Sequence, residues 1–226
     1  MAENFDELKA EEILDDIDTY TKEHILGFGD KQIISMAEEA YELAPDSRAA
    51  KYYAKSLAAT GQHQEALNIL EPYINNHPYE FEPYHHALIS LAELERYKQV
   101  EQYCRQAIDV GIEVGFDARS NAIAYSYLGL SLQAQRKVGK AIDALRTAKR
   151  HDQSYPVPYL FVGRHFLARG KKEEAEFEFT VAFENAKKLK MKVIEGIARN
   201  HIKEITDNQK KRLLEPPPSS PNDGPG

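Results

Sequence analysis

A spacing of 34 residues constrains this chain more than any other feature. Ala141 and Ala175 stand 34 apart, and the residues around each follow one pattern. Gly61, Ala66 and Leu70 return as Gly170, Ala175 and Phe179, with Ala141 and Leu145 as a copy between them. A period of that length, with small residues at fixed places, means paired helices that stack on one another. Such arrays usually bind other proteins and rarely carry out chemistry.

The most regular copy begins near Ala122. Tyr125, Leu128, Gly129 and Leu132 open one helix, and Ala141, Leu145 and Ala148 carry the next. The copy after it has Tyr159, Val162, Gly163 and Phe166, then Gly170, Ala175, Phe179 and Ala182. Apolar residues three and four apart form a helix stripe. Gly129 facing Ala141, or Gly163 facing Ala175, lets two antiparallel helices approach closely while larger neighbours fill the grooves.

This pattern resembles the tetratricopeptide repeat: aromatic-x-x-Leu-Gly-x-x-Tyr, then Ala-x-x-x-Phe, then Pro. Tyr53, Ala54, Leu57, Gly61, Ala66, Leu70, Tyr73 and Pro78 fit a copy over 47–80. Tyr84, Ala87, Leu91, Tyr97, Val100, Cys104 and Ala107 fit the next, over 81–121. Copies over 122–155 and 156–189 follow. A degenerate first copy over 14–46 has Leu14, Ile17, Tyr20 and His24, then Ile33, Ala37, Ala40 and Pro45. The resemblance covers residues 14–189 and implies an all-α, right-handed α-solenoid of about five helix-turn-helix repeats. Residues 1–13 read as a separate acidic segment, 190–214 as a capping helix, and 215–226 as a disordered tail of Pro, Ser and Gly. Within that tail, Ser220-Pro221 and Pro216–Pro218 are weak modification and polyproline signals beside an inert reading.

The copies depart from the pattern in places. None has the signature tryptophan, for the chain contains none. Leu88 and Val100 stand where small residues are usual. Val100 to Ala141 is 41 residues, seven more than the period. A longer second helix, or a short loop ending in an Asp117 cap, absorbs the difference. The insertion reads as tolerated, or as the longer repeat variant of some family members.

Composition excludes several function classes. The 226 residues carry a net charge of -7, which disfavours bulk nucleic-acid binding. Cys104 is the single cysteine, so no intrachain disulfide forms and no cysteine metal cluster exists. No membrane-length apolar run and no basic-then-apolar leader is present, and the expected location is the cytoplasm. No phosphate-binding loop or zinc spacing occurs, so neither a cofactor nor a metal is expected. His85-His86 are adjacent, about 100° apart on a helix, which suits chelation poorly. Cys104 falls where the two helices of a repeat meet, the place of a packed, inert thiol. The chain reads as a non-enzyme.

In the family that this chain resembles, the first helix of each repeat lines a concave groove. Carried onto this sequence, the groove positions are Arg48, Lys51, Tyr52 and Lys55; then Glu82, His85, His86 and Ile89. Ile123, Ser126, Tyr127, Leu130 and Gln133 follow, and then Val157, Leu160, Phe161, Arg164 and Leu167. The groove is then basic toward its start and apolar beyond. The expected ligand is a peptide or helix with acidic residues at one end and apolar anchors at the other. The alternative leaves Lys51 and Lys55 solvated, with Leu130 and Leu160 packed against adjacent repeats. Members that hold a chaperone's C-terminal carboxylate pair Lys with Asn; here Lys55 and Ile89 replace the expected partners of Lys51.

The charge is distributed unevenly along the chain. Residues 1–23 hold nine acidic side chains against Lys9 and Lys22, and 187–212 hold nine basic ones against three acidic. Opposite charges at the two termini favour head-to-tail self-association, or serve only as solubilising caps. The leading function is a non-catalytic adaptor or scaffold that binds a partner protein in the groove. The alternatives are a self-assembling structural scaffold and a client-specific cytosolic chaperone.

Overall fold

The computed structural model describes residues 2–24 and 27–214, with side chains over 5–22 and 27–207. The side chains of His24 and of Leu213–Leu214, and the tail from Pro216, lie outside these, and so do the expectations placed on them. Among the described residues there are eleven helices and no strand. None of them is long and apolar enough to cross a membrane. The chain forms two compact units, Met1–His151 and Asp152–Gly226.

The first unit holds four helix pairs. They are α1 (Ala2–His24) with α2 (Lys31–Leu43), α3 (Arg48–Ala59) with α4 (His63–Asn76), α5 (Phe81–Glu93) with α6 (Tyr97–Val114), and α7 (Ala118–Ala134) with α8 (Val138–His151). From α1 to α8 each helix of this unit packs on the next one in the unit, and the first helices also meet one another: α1 on α3, α3 on α5, and α5 on α7. The second unit holds α9 (Val157–Ala168), α10 (Lys172–Lys188) and α11 (Lys192–Leu214).

The repeat offsets mark the seams of these pairs. Ala66, Val100, Ala141 and Ala175 are all buried, and so are Leu70, Cys104, Leu145 and Phe179 one turn later. Burial pushes the Cys104 thiol up, which keeps it protonated and inert. The close approach at Gly129 is real, but its partner is a large side chain. A Cβ there would lie 2.6 Å from Leu145 Cγ and 3.3 Å from the Ala141 carbonyl oxygen. At Gly163 it would lie 2.8 Å from the Phe179 ring. Small residues on the first helix therefore receive large ones from the second.

Five turns share one way of ending a helix. Gln62 N–H donates to the Leu57 carbonyl while Gly61 N–H donates to that of Ala58. This double closure needs a left-handed residue at its bend, and Gly61 has φ 85°. Gly170 repeats it at φ 73°, while Glu95, Arg136 and Lys190 take the same place at 55°, 61° and 57° without being glycine. Three helix starts carry side-chain caps. Asp30, Ser47 and Asp117 accept from the backbone N–H groups of Gln32, Ala49 and Ser120.

Three boundaries differ from the sequence reading. Residues 1–13 do not form a segment apart: residues from Ala2 onward lie in α1, because Ala10 already belongs to the buried stripe that continues through Leu14 and Ile17. Next, α7 opens at Ala118 rather than near Ala122, since Asp117 caps it. The seven extra residues therefore lengthen both α6 and α7. Gly111, buried at their junction, leaves room for the Phe116 ring, which packs at 5.5 Å on Phe81. Finally, α11 starts at Lys192 and covers the apolar side of α10 with Ala198 and Ile205.

Candidate binding face

The groove positions of the first unit come together on α3, α5 and α7. Helix periodicity places Lys51, Tyr52 and Lys55 on one side of α3, because Ala50, Ala54 and Leu57 are buried on the other. Likewise Glu82, His85, His86 and Ile89 are displayed beside the buried Tyr84, Ala87, Leu88 and Leu91. On α7, Ile123, Tyr127, Leu130 and Gln133 are half-buried, while Ser126 is buried and its hydroxyl donates to the Ala122 carbonyl. The His85 ring meets Tyr127 edge-on at 6.0 Å and stacks with Phe81 at 6.1 Å, which joins α5 to α7.

The expected basic start of the face is largely neutralised from within. Arg48 is held by Glu11 at 2.7 Å and Asp15 at 2.6 Å, both on α1. Lys51 lies 2.8 Å from Glu80 and 3.5 Å from Glu82. Tyr52 donates its hydroxyl to Asp18 at 2.7 Å. Lys55 is different: its ammonium sits 3.8 Å above the Phe28 ring, and among the described residues no carboxylate lies within 4 Å of it. Burial lowers its pKa, against the pull of Glu82 and Asp18.

The two histidines differ in their surroundings. Burial first, and then the charge of His86, hold the His85 imidazole down to about 4, so it is neutral at physiological pH. His86 Nε2 lies 3.6 Å from Glu82, too long for a hydrogen bond, and it has no such partner. Glu82 is held down to about 2, by His86 first and then by Lys51 and Lys55, against the effect of burial. Among the described residues no cluster of His, Cys, Asp and Glu is set to hold a metal.

Five predicted positions fall in the second unit, all on α9: Val157, Phe161 and Leu167 are half-buried, and Leu160 is not displayed. Leu160 is 3% exposed and lies in the core with Tyr159, Ala175 and Phe179. The short apolar stripe of α9 needs it inside, so it is withdrawn from the set of surface contacts. Arg164 on the same helix is exposed. Sequence reasoning missed Phe28, which carries the Lys55 ammonium and meets Tyr52 edge-on at 5.7 Å. Its signal is an aromatic within the turn Gly27-Phe28-Gly29-Asp30, where a large apolar side chain has no helix stripe to serve.

No family model and no curated protein matches the sequence. Solved structures do. MamA (residues 41 to the end) from Desulfovibrio magneticus RS-1 is similar over 80% of this chain and 96% of its own, with 18% identity and a TM-score of 0.60. TTC0263, described as a thermophilic TPR protein in Thermus thermophilus, matches over 73% of this chain and 88% of its own, at 20% identity and a TM-score of 0.55. YrrB, described as a TPR protein with an unusual peptide-binding site, matches over 84% and 90%, at 13% identity and a TM-score of 0.54. Stacked helix pairs, recurrent small-large seams and these likenesses agree: the chain has the tetratricopeptide-repeat fold.

Proposed function

We propose that this chain is a non-catalytic interaction scaffold that holds a peptide or helix of a partner protein on the inner face of α3, α5 and α7. The observation that carries this reading is Lys55. A half-buried ammonium with no carboxylate beside it, among aromatic and imidazole rings, is an incomplete ion pair. A carboxylate supplied by a partner completes it, and Tyr127 and Leu130 beyond offer apolar contact. The acidic contact of the ligand centres on Lys55 rather than on Lys51 or Arg48, whose charges are satisfied internally. The peptide-binding site ascribed to YrrB lends support at the level of a shared fold.

The test is affinity capture from native lysate by wild type and by a Lys55→Glu, Tyr127→Ala variant of equal helicity and mass. A protein captured by wild type and lost by the variant supports the reading. Capture of the same proteins by both places the interaction elsewhere and rejects this face.

A further inference from the structure

The side of a packed helix that lies away from its buried stripe is ordinarily polar. On α1 and α11 that side carries large exposed apolar residues. In α1 the buried stripe is Ala10, Leu14 and Ile17. At 100° per residue, the opposite side carries Phe5, Leu8, Glu12 and Asp16. Phe5 is 69% and Leu8 64% exposed. Glu12 and Asp16 have no cationic partner within 4 Å among the described residues, unlike Glu11 and Asp15 on the flank, which hold Arg48.

In α11 the packed residues are Ile194, Ala198, Ile202 and Ile205. The outer side begins with Val193, 74% exposed, and Ile197, 37% exposed. Leu189 is exposed in the turn before it. Around these stand Lys188 and Lys190, without carboxylate partners among the described residues, and Lys192, which reaches Glu195 only at 3.4 Å and from a largely solvated position. Glu204 lies on the same side but about 16 Å further along the axis.

We propose that a second copy of this chain is the occupant of both faces. The Phe5–Leu8 patch of one copy packs on Leu189, Val193 and Ile197 of another. Glu12 and Asp16 then face Lys188 and Lys190. The two patches differ, so the contact is heterologous: each copy offers one face and receives on the other, and association continues past the dimer. Two or three side chains a face put it among small, transient interfaces, below roughly 1,200 Å² in total. This rests on α1 and α11 and is independent of the inner face.

Sedimentation velocity of the full chain tests it, at high protein concentration and in salt of about 20 mM and about 500 mM. The expected result is a dimer-and-larger series in low salt that retreats to monomer in high salt. Leu8→Lys and Val193→Gln alter exposed residues, and thermal melts check that both stay folded. Each lowers the association constant roughly tenfold or more. Mixing the two variants restores dimers and nothing larger, because one intact acidic and one intact basic face remain between them. A wild type that stays monomeric in low salt overturns the proposal. So does unchanged association of both variants, or a mixture that stays monomeric.

Discussion

The seam between α7 and α8 and the charged face of α3 and α5 are built on opposite plans. The seam is apolar and closed: Gly129 admits Leu145, and Ala141, Ala144 and Ala148 let the helices meet. The face is charged, half-open and stitched by groups from other elements, α1 and the turn before α5 among them. In the seam, size complementarity along one helix pair decides everything. On the face, each side chain's role depends on what a third element brings to it. A seam therefore tolerates no change of volume, whereas the face responds to charge and pH.

The largest effect expected is at the seam. Gly129→Val places a branched side chain where even one Cβ meets Leu145 at 2.6 Å. The cost is about 3 kcal/mol in urea unfolding, and adding Leu145→Ala recovers part of it. If Gly129→Val alone unfolds like wild type, the seam is looser than its geometry and the contrast fails.

Acid is expected to act on the face instead. The unfolded His85 imidazole takes a proton as pH falls below its ordinary 6.5, whereas the folded one resists down to about 4. Stability is then lost over that window, by about 2 kcal/mol between pH 7 and pH 5. Glu82 adds to the loss only below its ordinary 4.5, since its folded value is about 2. Thermal melts across pH check this, and His85→Gln flattens the curve between pH 7 and 5.

A smaller effect separates the turns. Gly61→Ala at φ 85° costs about 1 kcal/mol. Arg136→Gly at φ 61° relieves the same strain and is stabilising by up to about 1 kcal/mol. Measured melts in which both substitutions destabilise would show that the side chain of Arg136 matters more than its backbone.

The smallest effect concerns a pair between repeats. Glu101 accepts from Arg105, Gln135 and Lys137, and these contacts, Arg105 first, hold its carboxyl down to about 2. Glu101→Gln is expected to cost under about 1 kcal/mol, because the partners are half-solvated, and less in high salt. A loss several times larger would make this link part of the seam rather than of the surface.

Much of this architecture was legible residue by residue. Ala66, Val100, Ala141 and Ala175 mark the seams because a helix stripe is a local periodicity, and Asp117 announces a helix start because capping is local too. Gly61 and Gly170 disclose their turns, but Glu95, Arg136 and Lys190 hide theirs, since the hydrogen bonds that force φ positive leave no mark on residue type. Leu160 and Leu130 look alike in the sequence; only packing of α9 on α10 puts Leu160 inside. Arg48, Lys51 and Lys55 read as one basic row. Their separation into two satisfied cations and one without a carboxylate beside it depends on Glu11, Asp15 and Glu80, which come from other elements. Local patterns determine which helices form and which stripe each buries. The state of a charge on the face is a matter of distance between residues far apart in the chain, so the tertiary structure alone decides it.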